Sequence, residues 1–474
     1  MTDIADVLAQ RYASPEMLDI WSDETKIKLE RELWIRVAER QRRYGLDISG
    51  FQTAAYRAVV DRVDLESIAR RERESGHDVK ARIEEFNALA GHQLIHLGMT
   101  SRDLTDNVEQ IQILSALGLI HDKAVAVLDR IAKRAKEYAS EPVVARTHNA
   151  PAQITTMGKK FANVGEELLV AVGLVEKIIE LYPGRGLKGA VGTQQEQMDL
   201  LGLEEEDALR FDEELMSDFD FSELLENVGQ VYPRSLDFMV VAALYQLASA
   251  PANFAKSLRL MTGVELVTEG FKEGRVGSTA MPHKMNASKS ERIGALTKVL
   301  GGFLSMVEDL VGDQWQEGDV SDSVVRRVAL KGAFFAIDGI LDTTTTVIDG
   351  FGFYPAVARR EIKKYLPFLA TTRILAACVR AGMGREDAHA VIKHHAVAVA
   401  LEMRRQGTDK NDLVQRLGSD SRIPLNAGAI GVLLRDPMDF IGTSVMGINS
   451  FCRQVAVCRR SFPNKVGYIP QEGV

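Results

Sequence analysis

The residues with the most chemical potential lie between Gly270 and Arg292, where the chain reads Gly-Phe-Lys-Glu-Gly-Arg-Val-Gly-Ser-Thr-Ala-Met-Pro-His-Lys-Met-Asn-Ala-Ser-Lys-Ser-Glu-Arg. Ser278, His283, Lys284 and Asn286 fall close together in a glycine-flanked loop of roughly eighteen residues, longer than a mere connector between helices needs to be. A serine hydroxyl is too weak an acid to serve unaided as nucleophile or base, so it requires neighbouring cations or oriented backbone amides. Lys284 is such a cation, and Gly270, Gly274 and Gly277 give the loop the freedom to close over a substrate. Ser288 followed three residues later by Glu291 forms a capping-box pattern, which predicts a helix start there and puts Lys284 just upstream of an anion-attracting terminus. The residues alone leave two readings open, a catalytic loop and a plain connector.

Other polar clusters sit where helices should begin. Thr100-Ser101-Arg102-Asp103 has the pattern of a cap, as does Arg146-Thr147-His148-Asn149 ahead of the next helix. Gly76-His77-Asp78-Val79-Lys80 sets a histidine beside a carboxylate, and Asp319 to Arg327 brings hydroxyls and two arginines to a helix start, a suitable oxyanion cradle. Capping alone accounts for each of these taken singly. Two further patterns carry less. Gly184-Arg185-Gly186-Leu187-Lys188-Gly189 matches the dinucleotide fingerprint in letters, but a helical segment precedes it where a strand is required, so it reads as a turn. His394-His395 has no further ligand at metal-binding spacing, and no metal site is expected.

The elements that must hold these clusters are helices. Apolar residues recur three and four apart over Leu104–Tyr138, Thr155–Leu181, Pro233–Leu260, Ser288–Val311 and Ser323–Thr346, which predicts five long helices packed as a bundle. The expected fold class is mainly α, in three helical domains: residues 1–99, a central bundle over 100–350 carrying the loop 270–287, and residues 351–474. The segment after Ser461 reads as a frayed end. The 474 residues are 46% apolar and 26% charged, within the globular range, and a net charge of −8 argues against nucleic acid as the main partner. Three cysteines (Cys378, Cys452, Cys458) argue against a disulfide framework and suit a reducing, cytoplasmic compartment. The N-terminus lacks a signal-peptide pattern, and no apolar run reaches about eighteen residues, so no membrane partner is expected.

The run Gly277-Ser278-Thr279-Ala280-Met281-Pro282-His283-Lys284-Met285-Asn286 followed by Glu291 resembles the signature of the fumarase/aspartase superfamily. Within it, Arg11 to Met17, His77 to Lys80, Thr100-Ser101, Arg146-Thr147-His148, Gln230 to Arg234 and Ser323 to Arg327 resemble the adenylosuccinate lyase family, as do Gly189 to Gln194 and Leu366 to Thr371. The resemblance implies a homotetramer whose central helices form the core, active sites shared among three subunits, a small-molecule substrate and no cofactor. It also implies a β-elimination that releases fumarate by breaking a C–N bond. Ser278 is then the base, His148 the acid, Lys284 a stabiliser of the carbanion, and Glu291 a carboxylate that pairs with the histidine. Substrate binding falls by the same resemblance to Arg11, Tyr12, His77, Asp78, Thr100, Ser101, Thr147, Gln230, Asn286, Arg292, Ser323 and Arg327.

Two positions depart from the family pattern. Gly318, in Trp315-Gln316-Glu317-Gly318-Asp319, stands where most relatives carry an arginine that contacts substrate, so one anion contact is missing or supplied elsewhere. Thr279 replaces a second serine and keeps the hydroxyl. An argininosuccinate-lyase-like substrate is the competing enzymatic reading, and a catalytically silent scaffold the non-enzymatic one. The segments at Arg11-Tyr12 and His77 to Val79 speak against the first, and the retention of Ser278, His148, Lys284 and Glu291 against the second.

Overall fold

The structure, a computed structural model, describes residues 6–270, 281, 283–461 and 468–470. Ser278, Gly274, Gly277 and Thr279, and the segment Phe462–Asn464, lie outside the described residues. The described part is mainly α. The chain opens with α1 (Val7–Arg11), α2 (Pro15–Ile20), α3 (Asp23–Arg43), α4 (Gly50–Arg57), α5 (Leu65–Ser75) and α6 (Asp78–Ala90). Then come α7 (Ser101–Glu137), a hairpin of β1 (Pro142–Thr147) and β2 (Ala150–Thr156), and α8 (Met157–Leu181). After the short α9 (Gln195–Leu201) and α10 (Glu205–Ser217), the bundle continues with α11 (Ser235–Thr262), α12 (Ser288–Glu308) and α13 (Ser323–Gly350). The five long helices predicted from apolar spacing are thus present, and α7 runs unbroken through Gly118 for about 55 Å at the usual helical rise.

Their contact faces explain the packing. Ile113, Leu117, Ile120, Ala124, Leu128 and Ile131 of α7 meet Leu168, Val172 and Val175 of α8, Leu244 and Leu247 of α11, and Phe334, Ile337 and Leu341 of α13 in one core. Glycine lets α8 come close at two points. A Cβ at Gly158 would stand 2.3 Å from the Ala135 carbonyl oxygen, and one at Gly165 would stand 2.1 Å from the Phe451 ring. α7 and α11 are long and apolar enough to cross a membrane, but the most apolar stretch of α7 is 72% buried inside the bundle.

The N-terminal helices bury Leu33, Trp34, Tyr56, Val79 and Phe86 against Leu104 and Val108 at the head of α7. At the far end, β3 (Val267–Thr268) pairs antiparallel with β4 (Gly352–Phe353), and the helices α14 (Pro355–Leu369), α15 (Thr371–Arg380), α16 (Arg385–Gln406), α17 (Leu413–Ser419) and α18 (Ala427–Leu433) follow. α15 to α18 share a core of their own around Ile374, Val391, Ile392, Leu413 and Ile430. The last helix, α19 (Ser444–Ser461), leaves that core and buries Ile448, Phe451 and Val455 in the central bundle. Residues from both sides of position 350 thus share the central core.

The fingerprint-like Gly184–Gly189 is a buried connector. Arg185 donates to Asp103 at 2.6 Å and Lys188 pairs with Asp212 at 2.7 Å, so both cations serve the interior. His395 lies 2.8 Å from an Asp420 oxygen, a structural pair between α16 and the segment after α17. The expected frayed end is corrected at Tyr468, because its hydroxyl donates to Asp342 at 3.1 Å, its carbonyl accepts from Arg130 at 2.6 Å, and Lys123 lies 4.8 Å from its ring centre.

Burial raises the Asp342 carboxyl to about 6 even though Lys123 stands 3.1 Å away, because Lys123 is shared with the fully buried Asp338. The folded state therefore holds a proton on Asp342 that the unfolded chain releases between about pH 4 and 6, and stability contributed here falls as pH rises through that window. Asp342→Asn should remove this slope: the variant gains on the wild type as pH rises from about 4 to 6 and the gap stays level above about 7. Thermal melts of both proteins across that range check it, and parallel curves would refute it.

Candidate active site

One cleft of about 320 Å³ gathers several of the residues singled out by sequence: His77, Asp78, Ser101, Ser323 and Arg327 all line it. It lies where the N-terminal ends of α6, α7 and α13 converge, so backbone N–H groups and helix dipoles add to its affinity for anions. His77 is the N-cap of α6, its Nδ1 accepting from the Lys80 N–H at 3.3 Å, which leaves Nε2 to carry the ring proton of the neutral form. Burial pushes the Asp78 carboxyl up, but Arg82 at 3.0 Å and the Val79 N–H outweigh it and hold the group below its ordinary value. Thr100 caps α7 at the cleft edge, and Asp103 reaches back to accept from its N–H at 2.8 Å, as the cap pattern predicted.

The floor of the cleft is ionic and buried. Arg326 is 2% exposed and is held by Glu109 at 2.8 Å, by Asp237 at 2.7 Å and by the Tyr232 hydroxyl. Arg234 lies between Asp106, at 3.2 Å, and Asp322. Burial alone would raise Asp106 and Glu109, yet the surrounding guanidinium groups bring both below their ordinary values, so they stay ionised. Sequence reasoning picked out Arg327 and passed over Lys26, Arg102 and Glu109, which also line the cleft. Arg102, directly after Thr100-Ser101, was open to discovery as a cation at a helix start; Lys26 and Glu109 offered no such signal.

Gln230 stands beside the cleft, not in its lining, with its N–H donating to the Glu317 carbonyl at 2.7 Å. The neighbouring Gly318 has φ +144°, a conformation that favours glycine, and a Cβ there would stand 3.0 Å from Val231. An arginine at 318 is thus poorly suited to this backbone.

A second group lies near the other end of the bundle. Lys284 and Asn286 are exposed just ahead of α12. The predicted Ser288/Glu291 capping box does not form: Ala287 is the N-cap, and the cap comes from the buried Glu269, whose carboxylate accepts from the N–H groups of Lys289 at 2.9 Å and Ser290 at 3.0 Å and from the Ser290 hydroxyl at 2.9 Å. A carboxylate from outside the helix has displaced the local option because it satisfies two terminal donors at once. Glu291 is exposed and pairs with Arg259 at 3.5 Å. The Arg292 guanidinium lies 5.6 Å from the Tyr12 ring centre, and Tyr12 packs on Gly339 of α13. Arg11, the last residue of α1, is exposed beside it.

Thr147 and His148 belong to neither group. The cap expected at Arg146–Asn149 is instead the tip of the β1–β2 hairpin, with φ +51° at His148 and +60° at Asn149, the left-handed pair that a two-residue turn demands. The cap of α8 is Thr156, whose side chain accepts from Lys159 N–H at 3.0 Å. The hairpin is seated on α14 by Val144 and Ile154 against Ile362, Leu366 and Leu369, and by an Arg146–Glu361 ion pair. Its exposed tip holds His148 out from the body, and among the described residues no hydrogen bond or ion pair joins His148 to Glu291.

Distance separates these groups decisively. Ser323 begins α13 and Gly350 ends it, a helix of 28 residues, or about 40 Å at the helical rise. The cleft is at the Ser323 end. Gly350 abuts Gly270, next to the Glu269 that caps α12, and Arg134, one turn before the end of α7, donates to the Ile348 carbonyl at 3.1 Å. The hairpin and the Lys284 group are therefore at the Gly350 end.

This helical architecture is that of a lyase fold. The structure superposes on 3-carboxy-cis,cis-muconate lactonizing enzyme from Pseudomonas putida with a TM-score of 0.81 at 19% identity, covering 96% of this chain and 99% of that one. A fumarate lyase from a Mesorhizobium species gives 0.77 at 20% identity, covering 94% and 98%. The Lyase family model matches residues 10–301, and the model described as adenylosuccinate lyase C-terminus matches residues 367–450. The adenylosuccinate lyase of Schistosoma mansoni is 34% identical over 94% of this chain and 93% of its own length, and that of Saccharomyces cerevisiae is 32% identical over the same shares. The chain belongs to the adenylosuccinate lyase family, and it is a lyase.

Glu269→Ala should lower stability by about 2 kcal/mol, because three hydrogen bonds to a helix start are lost together. Glu291→Ala should leave stability nearly unchanged, since its pair is exposed. Denaturant unfolding of both variants tests the assignment, which fails if Glu291→Ala is the more damaging.

Proposed function

We propose that the chain releases fumarate from adenylosuccinate to leave AMP, and carries out the same β-elimination on succinylaminoimidazole carboxamide ribotide, as a cytoplasmic homotetramer of purine synthesis. The observation that carries this reading is the match to adenylosuccinate lyases along 94% of the chain. The chemistry needs a base to take a weakly acidic proton beside a carboxylate and an acid to protonate the departing nitrogen. Ser278 is the base, supported by the loop, and His148, held at the exposed hairpin tip, is the acid. Lys284 and Asn286 stabilise the carbanion as its charge moves into the adjacent carboxylate. Glu291 faces the histidine across a subunit boundary, where Arg259 shares it in the single chain.

His77, Asp78, Thr100, Ser101, Ser323 and Arg327 hold the nucleotide's anionic groups, with Arg11, Tyr12, Thr147, Gln230 and Arg292 completing the binding surface. The separation of about 40 Å between the cleft and the Lys284 group supports a site assembled from several copies. One chain cannot close over a single small substrate with both ends. Exposed apolar residues along the bundle, among them Val170 and Leu174 on α8 and Val324 and Val328 on α13, give those copies a surface to bury. No step calls on a metal or an organic cofactor.

Purified protein with adenylosuccinate, followed by ultraviolet absorbance beside argininosuccinate, tests the substrate. Fumarate and AMP should appear from the first alone. Ser278→Ala and His148→Ala should each abolish turnover without changing assembly, and near-wild-type activity in either sinks that assignment. Mixing and reassembling His148→Ala with Arg327→Ala should restore part of the lost activity, since some sites then draw intact residues from both; no recovery in well-formed mixed oligomers would refute the shared site.

A further inference from the structure

Arg102 stands out in the cleft as a cation in an unfavourable place. It is the second residue of α7, where the helix dipole favours anions and opposes positive charge. Its side chain is only 14% exposed. Two carboxylates index it: Nη1 donates to Asp106 at 3.2 Å, and Nη2 lies 3.9 Å from Asp322, beyond hydrogen-bond range. Each of these carboxylates is also bound by the buried Arg234, so the guanidinium is oriented by groups that cannot readily move. Among the described residues, one of its five N–H donors is engaged at hydrogen-bond distance, and the rest of the fork is left for whatever enters the cleft. Gly318 contributes no side chain, and its φ of +144° suits few other residues.

A largely desolvated guanidinium fixed against a helix dipole with spare donors is stabilised when an anion arrives, and its fork matches the oxygens of a phosphate or a carboxylate. Arg327, Ser101 and Ser323 line the same cleft and can grip other oxygens of that group. We propose that Arg102 is a direct ligand for an anionic group of the substrate, supplying the contact that no residue at position 318 provides. This rests on the lyase reading of the site and adds a specificity-determining residue to it.

The test compares wild type with Arg102→Gln and Arg102→Lys, measuring kcat and KM for adenylosuccinate, product inhibition by AMP and by fumarate, and the thermal midpoint. Loss of a charged hydrogen-bonding pair predicts that KM for Arg102→Gln rises about ten- to hundredfold while kcat falls less. Arg102→Lys, which keeps the charge without the fork, should rise less. One inhibition constant should rise in step: that of AMP if Arg102 holds the phosphate, that of fumarate if it holds a carboxylate. A folded Arg102→Gln with KM and both inhibition constants within about twofold of wild type overturns the proposal. If that variant does not fold, an unchanged Arg102→Lys overturns it. A wild type inert toward adenylosuccinate defeats the lyase reading instead, and calorimetric titration of AMP and of fumarate into wild type and Arg102→Gln then decides on Arg102 alone, with equal affinities in the two proteins counting against it.

Discussion

The structure depends on how it compensates charge buried at the head of α7. Asp103 is fully buried and accepts from Arg185, from the N–H groups of Lys188 and Gly189, and from its own helix cap. One turn on, Asp106 meets Arg102 and Arg234, and a further turn brings Glu109 to Arg326. Removing any one partner would strand a charge in the interior, which is far more costly than the pair itself is stabilising. That asymmetry locks α7, the 185–189 connector, α11 and α13 into one arrangement. It also fixes the cleft above them, because Arg102, Ser323 and Arg327 are carried by the backbone that the network holds.

The second constraint is the stiffness of long helices. A bundle that runs about 40 Å from Ser323 to Gly350 keeps its two ends apart, with His77, Ser101 and Arg327 gathered at one end and Lys284 and the hairpin that carries His148 at the other. Within one chain these halves stay separate.

Local competition explains the points where sequence and structure differ. Ser288 and Glu291 have the letters of a capping box, but Glu269 is brought by β3 into the same position and offers two oxygens to two donors. Arg146 to Asn149 look like a cap because the same small polar residues serve turns and helix starts. The outcome turned on Val144 and Ile154 finding an apolar partner in α14, more than two hundred residues away. Tyr468 looks like part of a loose tail until α7 and α13 supply Arg130, Lys123 and Asp342.

What the sequence determined by itself was periodic or contiguous. Apolar spacing of three and four located α7, α8, α11, α12 and α13, because a helix repeats its buried face at that interval whatever lies opposite. The run from Gly277 to Glu291 and the short segments around His77, Thr100 and Ser323 indicated the family. Tertiary structure alone decided which of these segments meet. It joined His77, Ser101 and Arg327 in one cleft, set His148 on a hairpin at the far end, and admitted Lys26, Arg102 and Glu109 to the lining. Such meetings depend on helix length and on the pairing of buried charges between distant residues, and neither leaves a pattern in neighbouring letters.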